Sequence, residues 1–236
     1  MIDLHCHILP GLDDGPATLD EAVRMARIAW QDGIRTLVAT PHAFDGRFDV
    51  KPSERDRALQ GLRDALQQEE IALTLLAGSD CHLSEHLLPS LRDTPAHSLN
   101  QAGRAMLVEW PMEIIPAGFD QFLFEARLMG LTPVLTHPER HPEIQECPEC
   151  LQHCMEQGLR LQATAASLTG FFGREACRTA EILLYKGWVY ILATDGHNAV
   201  TRRPVLSEAL QRAKSIMGFH AIDLVTTNPA SLIKKL

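Results

Sequence analysis

Two histidines two residues apart, His5-Cys6-His7, end a short apolar run at the start of the chain. Side chains alternate along an extended backbone, so the two imidazoles face the same side. Such a pair can grip one divalent ion. Asp13 and Asp14 follow in a Gly- and Pro-rich loop and offer oxygen ligands. Residues of the same kind recur after later apolar runs: His42, Asp80, Glu109, His137, and Asp195 with His197. With Asp14 these make nine candidate ligands. That is enough for two or three ions, each held by about three or four protein ligands plus water. Mixed imidazole and carboxylate ligands suit manganese, iron or zinc better than magnesium or calcium. Closely spaced divalent ions suit phosphate-ester hydrolysis, because they make hydroxide from water, polarise the phosphoryl group and balance transition-state charge. Arg140, three residues after His137, is placed to clamp phosphate oxygens.

The elements that must carry these residues follow from periodicity and caps. Met1 to Leu4 reads as a buried strand. Thr18-Leu19-Asp20-Glu21 is a capping box, and helical spacing of apolar residues continues from Ala22 to Gly33. Strand 36–40 precedes Pro41-His42, and Ser53 caps a helix to Glu69. Strand 71–76 leads to Asp80, and a short helix spans 85–91. Strand 105–109, helix 118–129, strand 132–136, helix 148–157, strand 159–163, helix 174–186 and strand 188–194 follow. Helices fill 204–217 and most of the tail, with Asn228-Pro229 opening the last one. Seven strand–helix alternations with uniformly apolar strands predict a parallel sheet buried on both faces. Residues 1–236 form one domain, with no linker or composition break. The fold class is α/β, a seven-unit barrel related to the eight-fold one, whose sites lie at the C-terminal strand ends. A doubly wound sheet is the alternative, but no Gly-rich phosphate loop follows any strand. Six of the seven strands therefore deliver a candidate ligand to one rim.

Composition bounds the partners. The 236 residues are 45% hydrophobic and 22% charged, as in ordinary globular proteins. A net charge of −8 disfavours nucleic acid as the main partner. No apolar run approaches the ~20 residues that span a bilayer, and no signal peptide is evident. Six scattered cysteines are too few for a disulfide scaffold, so a cytoplasmic protein is expected. Two cysteine patterns compete with the rim. Cys154 to Arg160 fits the C-x5-R pattern of cysteine-dependent phosphatases, but here the cysteine falls in a helix and the arginine starts a strand, the reverse of a phosphate loop. Cys147, Cys150, His153 and Cys154 hint at zinc, but successive helical positions rarely converge on one ion, so cysteines buried at a helix N-terminus are the expectation.

The motif string resembles the PHP (polymerase and histidinol phosphatase) superfamily, especially its bacterial tyrosine-protein phosphatases that regulate capsule and exopolysaccharide. The matching pieces are Ile2-Asp3-Leu4-His5-Cys6-His7 with Asp13-Asp14-Gly15-Pro16, Thr40-Pro41-His42, and Leu107-Val108-Glu109-Trp110. His137-Pro138-Glu139-Arg140 and Asp195-Gly196-His197-Asn198 with Arg202 complete it. The resemblance implies a distorted TIM-like (β/α)7 barrel of PHP type, a trinuclear metal site (often manganese) and hydrolysis of phosphotyrosine on protein. It implies one ion on His5, His7 and Asp195, a second on Glu109 and His137, and a third on Asp14, His42 and His197. Arg140 would be the catalytic arginine and Arg202 a phosphate contact. The implied substrate is a membrane tyrosine autokinase of polysaccharide export.

There are two departures. The family usually places a bridging Glu in a Gly-x-Glu context, whereas Gly78-Ser79-Asp80 offers an Asp, one methylene shorter, with His82 as a substitute ligand. The loop Ala43-Phe44-Asp45-Gly46-Arg47 is less basic than in some relatives, and Arg47 is its only cation. The competing readings are histidinol-phosphate phosphatase on the same fold, a metal-dependent amidohydrolase, and a non-catalytic interaction module. The amidohydrolase lacks its histidine after the sixth strand, and the nearly complete ligand set opposes the interaction module.

Overall fold

The computed structural model describes residues 1–234. Its strands are β1 (Ile2–Cys6), β2 (Thr36–Ala39), β3 (His42–Ala43), β4 (Thr74–Ala77), β5 (Asp80–His82), β6 (Ala105–Glu109), β7 (Thr132–Thr136), β8 (Arg160–Thr164) and β9 (Val189–Ala193). Its helices are α1 (Leu19–Gln31), α2 (Pro52–Gln68), α3 (Leu87–Asp93), α4 (Phe119–Leu128), α5 (Pro142–Glu146), α6 (Gln152–Glu156), α7 (Ala165–Leu168), α8 (Arg174–Tyr185), α9 (Ser207–Met217) and α10 (Thr227–Ile233). The strands form two parallel sheets, ordered β1-β2-β4 and β3-β5-β6-β7-β8-β9.

The second expected strand is β2, the third begins at Thr74 and not at Ile71, and each is followed by a further short strand, β3 and β5, where a loop was expected. Pro41, which has no N–H to give to a ladder, separates β2 from β3. Gly78-Ser79 separates β4 from β5, and a Cβ on Gly78 would sit 2.7 Å from Val38 Cγ1, so only glycine fits. The two new segments pair in register, His42 opposite Asp80. Backbone bonds also join the first strand end to the last. Asp195 N donates to the His5 carbonyl at 2.8 Å, and His7 N donates to the Gly196 carbonyl at 2.9 Å. Buried Asp3 reinforces this contact, accepting the Thr194 hydroxyl at 2.6 Å and the Thr194 N–H at 3.0 Å.

Period 2 divides the apolar strand residues between two cores. Leu4, Val38, Leu107, Val134 and Ile191 form a smaller cluster joined by Leu232 of α10. Their neighbours Leu37, Met106, Leu135 and Leu192 face a larger cluster shared with Met25, Leu62 and Leu183 of the surrounding helices. Two helix expectations are corrected. Lys51, not Ser53, caps α2, with Pro52 in its first turn, where a missing N–H costs nothing. The helix expected over 148–157 is a 3-10 turn at Pro148–Leu151 followed by the short α6. Prolines 142 and 148 restart the helical path twice.

Arg55 of α2 is fully buried and fixes the approach to Asp80. Its guanidinium donates to the carbonyls of Gly78 at 3.2 Å and Ala96 at 2.6 Å, and to Asp56. Arg55→Met keeps the apolar stem and strands these acceptors. It is expected to lower unfolding free energy by about 3 kcal/mol, read from urea denaturation.

Candidate metal centre

All nine expected ligands converge at the C-terminal ends of the strands. Three overlapping groups place their ligand atoms within 4.8 Å of one another: His7, Asp14, His42 and His197; His5, His7 and Asp80; His42, Asp80 and Glu109. His137 joins through Glu109, with Nε2 3.4 Å from Oε1. Asp195 Oδ1 lies 3.4 Å from His5 Nε2 and 3.5 Å from His7 Nε2. Asp80 Oδ2 lies 3.4 Å from His5 Nε2 and 3.6 Å from His42 Nδ1. Asp80 thus belongs to two of the three groups and lies between them. His82 stays at the edge, 3.9 Å from Glu109 and in none of the three groups.

Local backbone geometry aims several of these side chains. His137 and Asp195, each just past a strand, adopt positive φ of 37° and 50°. A left-handed non-glycine costs on the order of 1–3 kcal/mol and persists only where the surroundings enforce it. Here the turn swings each side chain back over the strand ends. Gly15 lets the Asp13-Asp14 loop lie against the first strand, since a Cβ there would meet the His7 carbonyl oxygen at 2.2 Å.

Hydrogen bonds on the far ring nitrogens fix the imidazoles. His5 Nδ1 donates to Gln162 Oε1 at 2.7 Å, and that amide is held in turn by its Nε2 donating to Thr164. His7 Nδ1 donates to Asp13 Oδ2 at 2.8 Å. His197 Nδ1 donates to the Asp195 carbonyl at 2.9 Å. Each Nε2 is left facing inward, the arrangement that orients metal-bound histidines. Asp13 and Asp14 are thereby distinguished. Asp13 spends its oxygens on His7 and on the N–H groups of His42 and Gly15, whereas Asp14 Oδ1 points between His42 and His197. From sequence Asp13 stands beside Asp14 as an oxygen ligand, not as a support for His7, and Gln162 and Glu139 have no assigned role. The available signals were a second aspartate beside Asp14 and a glutamine in the otherwise apolar β8.

The residues fit divalent cations. Both Asp80 oxygens and His42 Nδ1 are buried without a hydrogen-bond partner. The Nε2 atoms of His5 and His7 face each other at 3.1 Å, so without metal a proton on His5 lies between them, and a divalent cation can take its place. Electrostatics agree. Burial disfavours a charged His5, but Asp80 and Asp195 outweigh it and raise its pKa to about 9. Burial likewise opposes a charged His42, yet Asp14, Asp80 and Glu109 raise it to about 10. Burial and the neighbouring His197 lower His7 to about 4. Burial works against an ionised Asp195, but His5, Arg202, His197 and Arg140 hold its carboxyl well below the usual range. Without metal, protons on imidazoles therefore balance the carboxylates.

Arg140 and Arg202 occupy the same rim. Arg140 Nη1 and Arg202 Nη2 both donate to Asp195 Oδ2, at 2.7 and 2.6 Å. The cysteine patterns lie elsewhere. Cys154 is in α6 and Arg160 opens β8, so no phosphate loop forms. Cys147 and Cys150 are exposed and Cys154 half-buried, which corrects the expectation of buried thiols. Among the described residues, no three ligand atoms converge there.

A rim of imidazoles and carboxylates with two arginines on parallel α/β strands defines a candidate metal-dependent hydrolase. The chain belongs to the CpsB/CapC family of capsular polysaccharide synthesis, whose match covers residues 1–234. It is 34% identical to the tyrosine-protein phosphatase YwqE of Bacillus subtilis, over 99% of this chain and 92% of that one. It is 26% identical to the tyrosine-protein phosphatase CpsB of Streptococcus pneumoniae, over 99% of this chain and 98% of that one. A solved chain from crystal structures of YwqE and CpsB, described as unique metal-dependent tyrosine phosphatases, superposes with a TM-score of 0.93. That chain is 34% identical, and the match covers 99% of this chain and 94% of that one. A lactonase from Listeria monocytogenes, 11% identical with TM-score 0.58 over 100% of this chain and 94% of that one, shares the fold alone.

Gln162→Leu removes the acceptor that orients His5. It is expected to weaken divalent-ion binding about 10- to 100-fold with the fold intact, measured by competition with a metal-sensitive dye.

Proposed function

We propose that this protein is a metal-dependent protein-tyrosine phosphatase. The observation that carries the proposal is the orphaned Asp80 carboxylate between His5 and His42, on a rim shared with two arginines. Membership of a family with curated tyrosine phosphatases supports it. The residues that would hold the ions are His5, His7, Asp14, His42, Asp80, Glu109, His137, Asp195 and His197. Two or three ions fit this set, and its chemistry favours manganese, with iron or zinc as alternatives. Bound divalent ions there would lower the pKa of water and polarise the phosphoryl group.

The chain's own residues supply orientation and charge. Gln162 and Asp13 fix two histidines in the tautomer that presents Nε2. Asp195 faces three histidines with one oxygen and holds both arginines with the other. The remaining N–H groups of Arg140 and Arg202 suit the non-bridging oxygens of a phosphoryl group. Tyrosine has a pKa of about 10, so a departing phenolate needs no strong general acid. We read the seven strand positions as a distorted (β/α)7 barrel of one domain, closed where His5 and His7 meet Asp195 and Gly196. The substrate we infer is a phosphotyrosyl protein, a membrane tyrosine autokinase of polysaccharide export, met in the cytoplasm. No helix among the described residues is long and apolar enough to cross a membrane, so the enzyme would reach that partner from outside the bilayer.

Purified protein is expected to hydrolyse phosphotyrosyl peptides and to turn over histidinol phosphate poorly. A chelator stops the reaction and added manganese restores it. Arg140→Ala lowers kcat/KM by about 10²–10³, while Cys154→Ser retains activity. Loss of activity in Cys154→Ser with its metal still bound would overturn the metal mechanism.

A further inference from the structure

Between α7 and α8 the chain makes a tight turn, Thr169-Gly170-Phe171-Phe172-Gly173. Gly170 and Gly173 both take positive φ, 86° and 91°, and bracket the phenylalanine pair. The two rings meet edge to face, 5.0 Å apart at 89°. Phe171 is half exposed, whereas Phe172 turns toward the rim. The Arg140 guanidinium carbon lies 4.5 Å from the centre of the Phe172 ring, and that of Arg202 lies 5.5 Å from it. Both distances fall within cation–π range.

This ring solves a positioning problem that Asp195 leaves open. Each guanidinium gives one N–H to the single atom Asp195 Oδ2. One shared acceptor anchors two cations that repel each other, but it does not set their planes. A ring face against both does. The anchoring leaves donors over, and Arg202 Nε is buried with no partner. The turn that carries Phe172 bonds back to α7, Gly170 N donating to the Ser167 carbonyl at 3.1 Å and Phe171 N to that of Ala166 at 3.0 Å, and α7 is tied to the residue before Arg140. Glu139, fully buried, accepts the Ser167 hydroxyl at 2.6 Å and the Thr164 N–H at 3.0 Å. One carboxylate, next to Arg140 in sequence, thus ties β8 and α7, which lead into the Phe172 turn, to the Arg140 segment.

We propose that Phe172 is a positioning residue: its ring holds the Arg140 and Arg202 guanidiniums as a two-pronged clamp for phosphoryl oxygens. It does not touch the reacting atoms and acts through the arginines. The role rests on the phosphatase reading for its substrate, but the clamp itself binds any tetrahedral oxyanion.

The test uses full-length, metal-loaded protein with two readouts. These are kcat/KM for a phosphotyrosyl peptide and the dissociation constant for inorganic phosphate by calorimetry. Phe172→Leu is expected to lower kcat/KM and weaken phosphate binding, each about tenfold. Phe172→Met, which keeps bulk without a ring face, should match it. Phe172→Tyr restores the ring and should bring both values to within about twofold of the parent. In an Arg140→Ala/Arg202→Ala background, adding Phe172→Leu should change phosphate binding less than about twofold, because its effect passes through the missing side chains. Unchanged phosphate binding in Phe172→Leu and Phe172→Met would overturn the proposal, as would an undiminished tenfold effect without the arginines. Phosphate binding that depends on Phe172 in a protein without phosphotyrosine turnover would instead defeat the phosphatase reading and leave the clamp standing.

Discussion

A buried carboxylate without a hydrogen bond governs this structure. Asp80 is fully buried, and neither of its oxygens has a hydrogen-bond partner, only the ionic neighbours His5 and His42. Both arginines of the rim are committed to Asp195, so none is left to neutralise it. Burial pushes the Asp80 carboxyl toward the neutral form, but His5 and His42 more than offset this and keep its pKa below the ordinary value. Charges taken out of water persist only when they are paired or coordinated to metal. In the metal-free chain imidazolium protons provide the pairing. Divalent ions would displace them, so metal binding and proton release are two sides of one equilibrium.

The frame around the rim makes this arrangement tolerable. Asp3 ties the first strand to Thr194, and Arg55 holds the carbonyl before Ser79-Asp80. Asp13, Gln162 and the Asp195 carbonyl each take the outer N–H of one histidine. These contacts fix the ligands before any ion arrives, which spares the cost of ordering them on binding. They also explain why the strand ends carry left-handed residues. His137 and Asp195 accept backbone strain so that their side chains face inward instead of continuing along the ladder.

Much of this was legible in the sequence, because ligand chemistry and strand ends coincide. A polar residue that closes an apolar run stands out, and all nine candidates converge on the rim. Strands 105–109 and 132–136 match β6 and β7 because uniform apolar runs end sharply there. The short strands β3 and β5 beyond the second and third strands were hidden. Pro41 and Gly78 act through a missing donor and a close approach to Val38, and the second of these is a tertiary contact. The supporting residues were hidden for a related reason. Gln162, Glu139 and Phe172 have no spacing signature, and they acquire roles only when distant segments meet. The division between Asp13 and Asp14 needed the direction of His7, which a linear pattern does not contain.

The most direct measurement is a crystal structure of the manganese-loaded protein with anomalous data at the metal's absorption edge. Two or three anomalous peaks should lie among the nine ligands. At least one should be about 2.0–2.3 Å from an Asp80 oxygen, with His5 or His42 completing its shell. Peaks confined to surface carboxylates, or a loaded crystal in which Asp80 stays without a cation, would contradict the account.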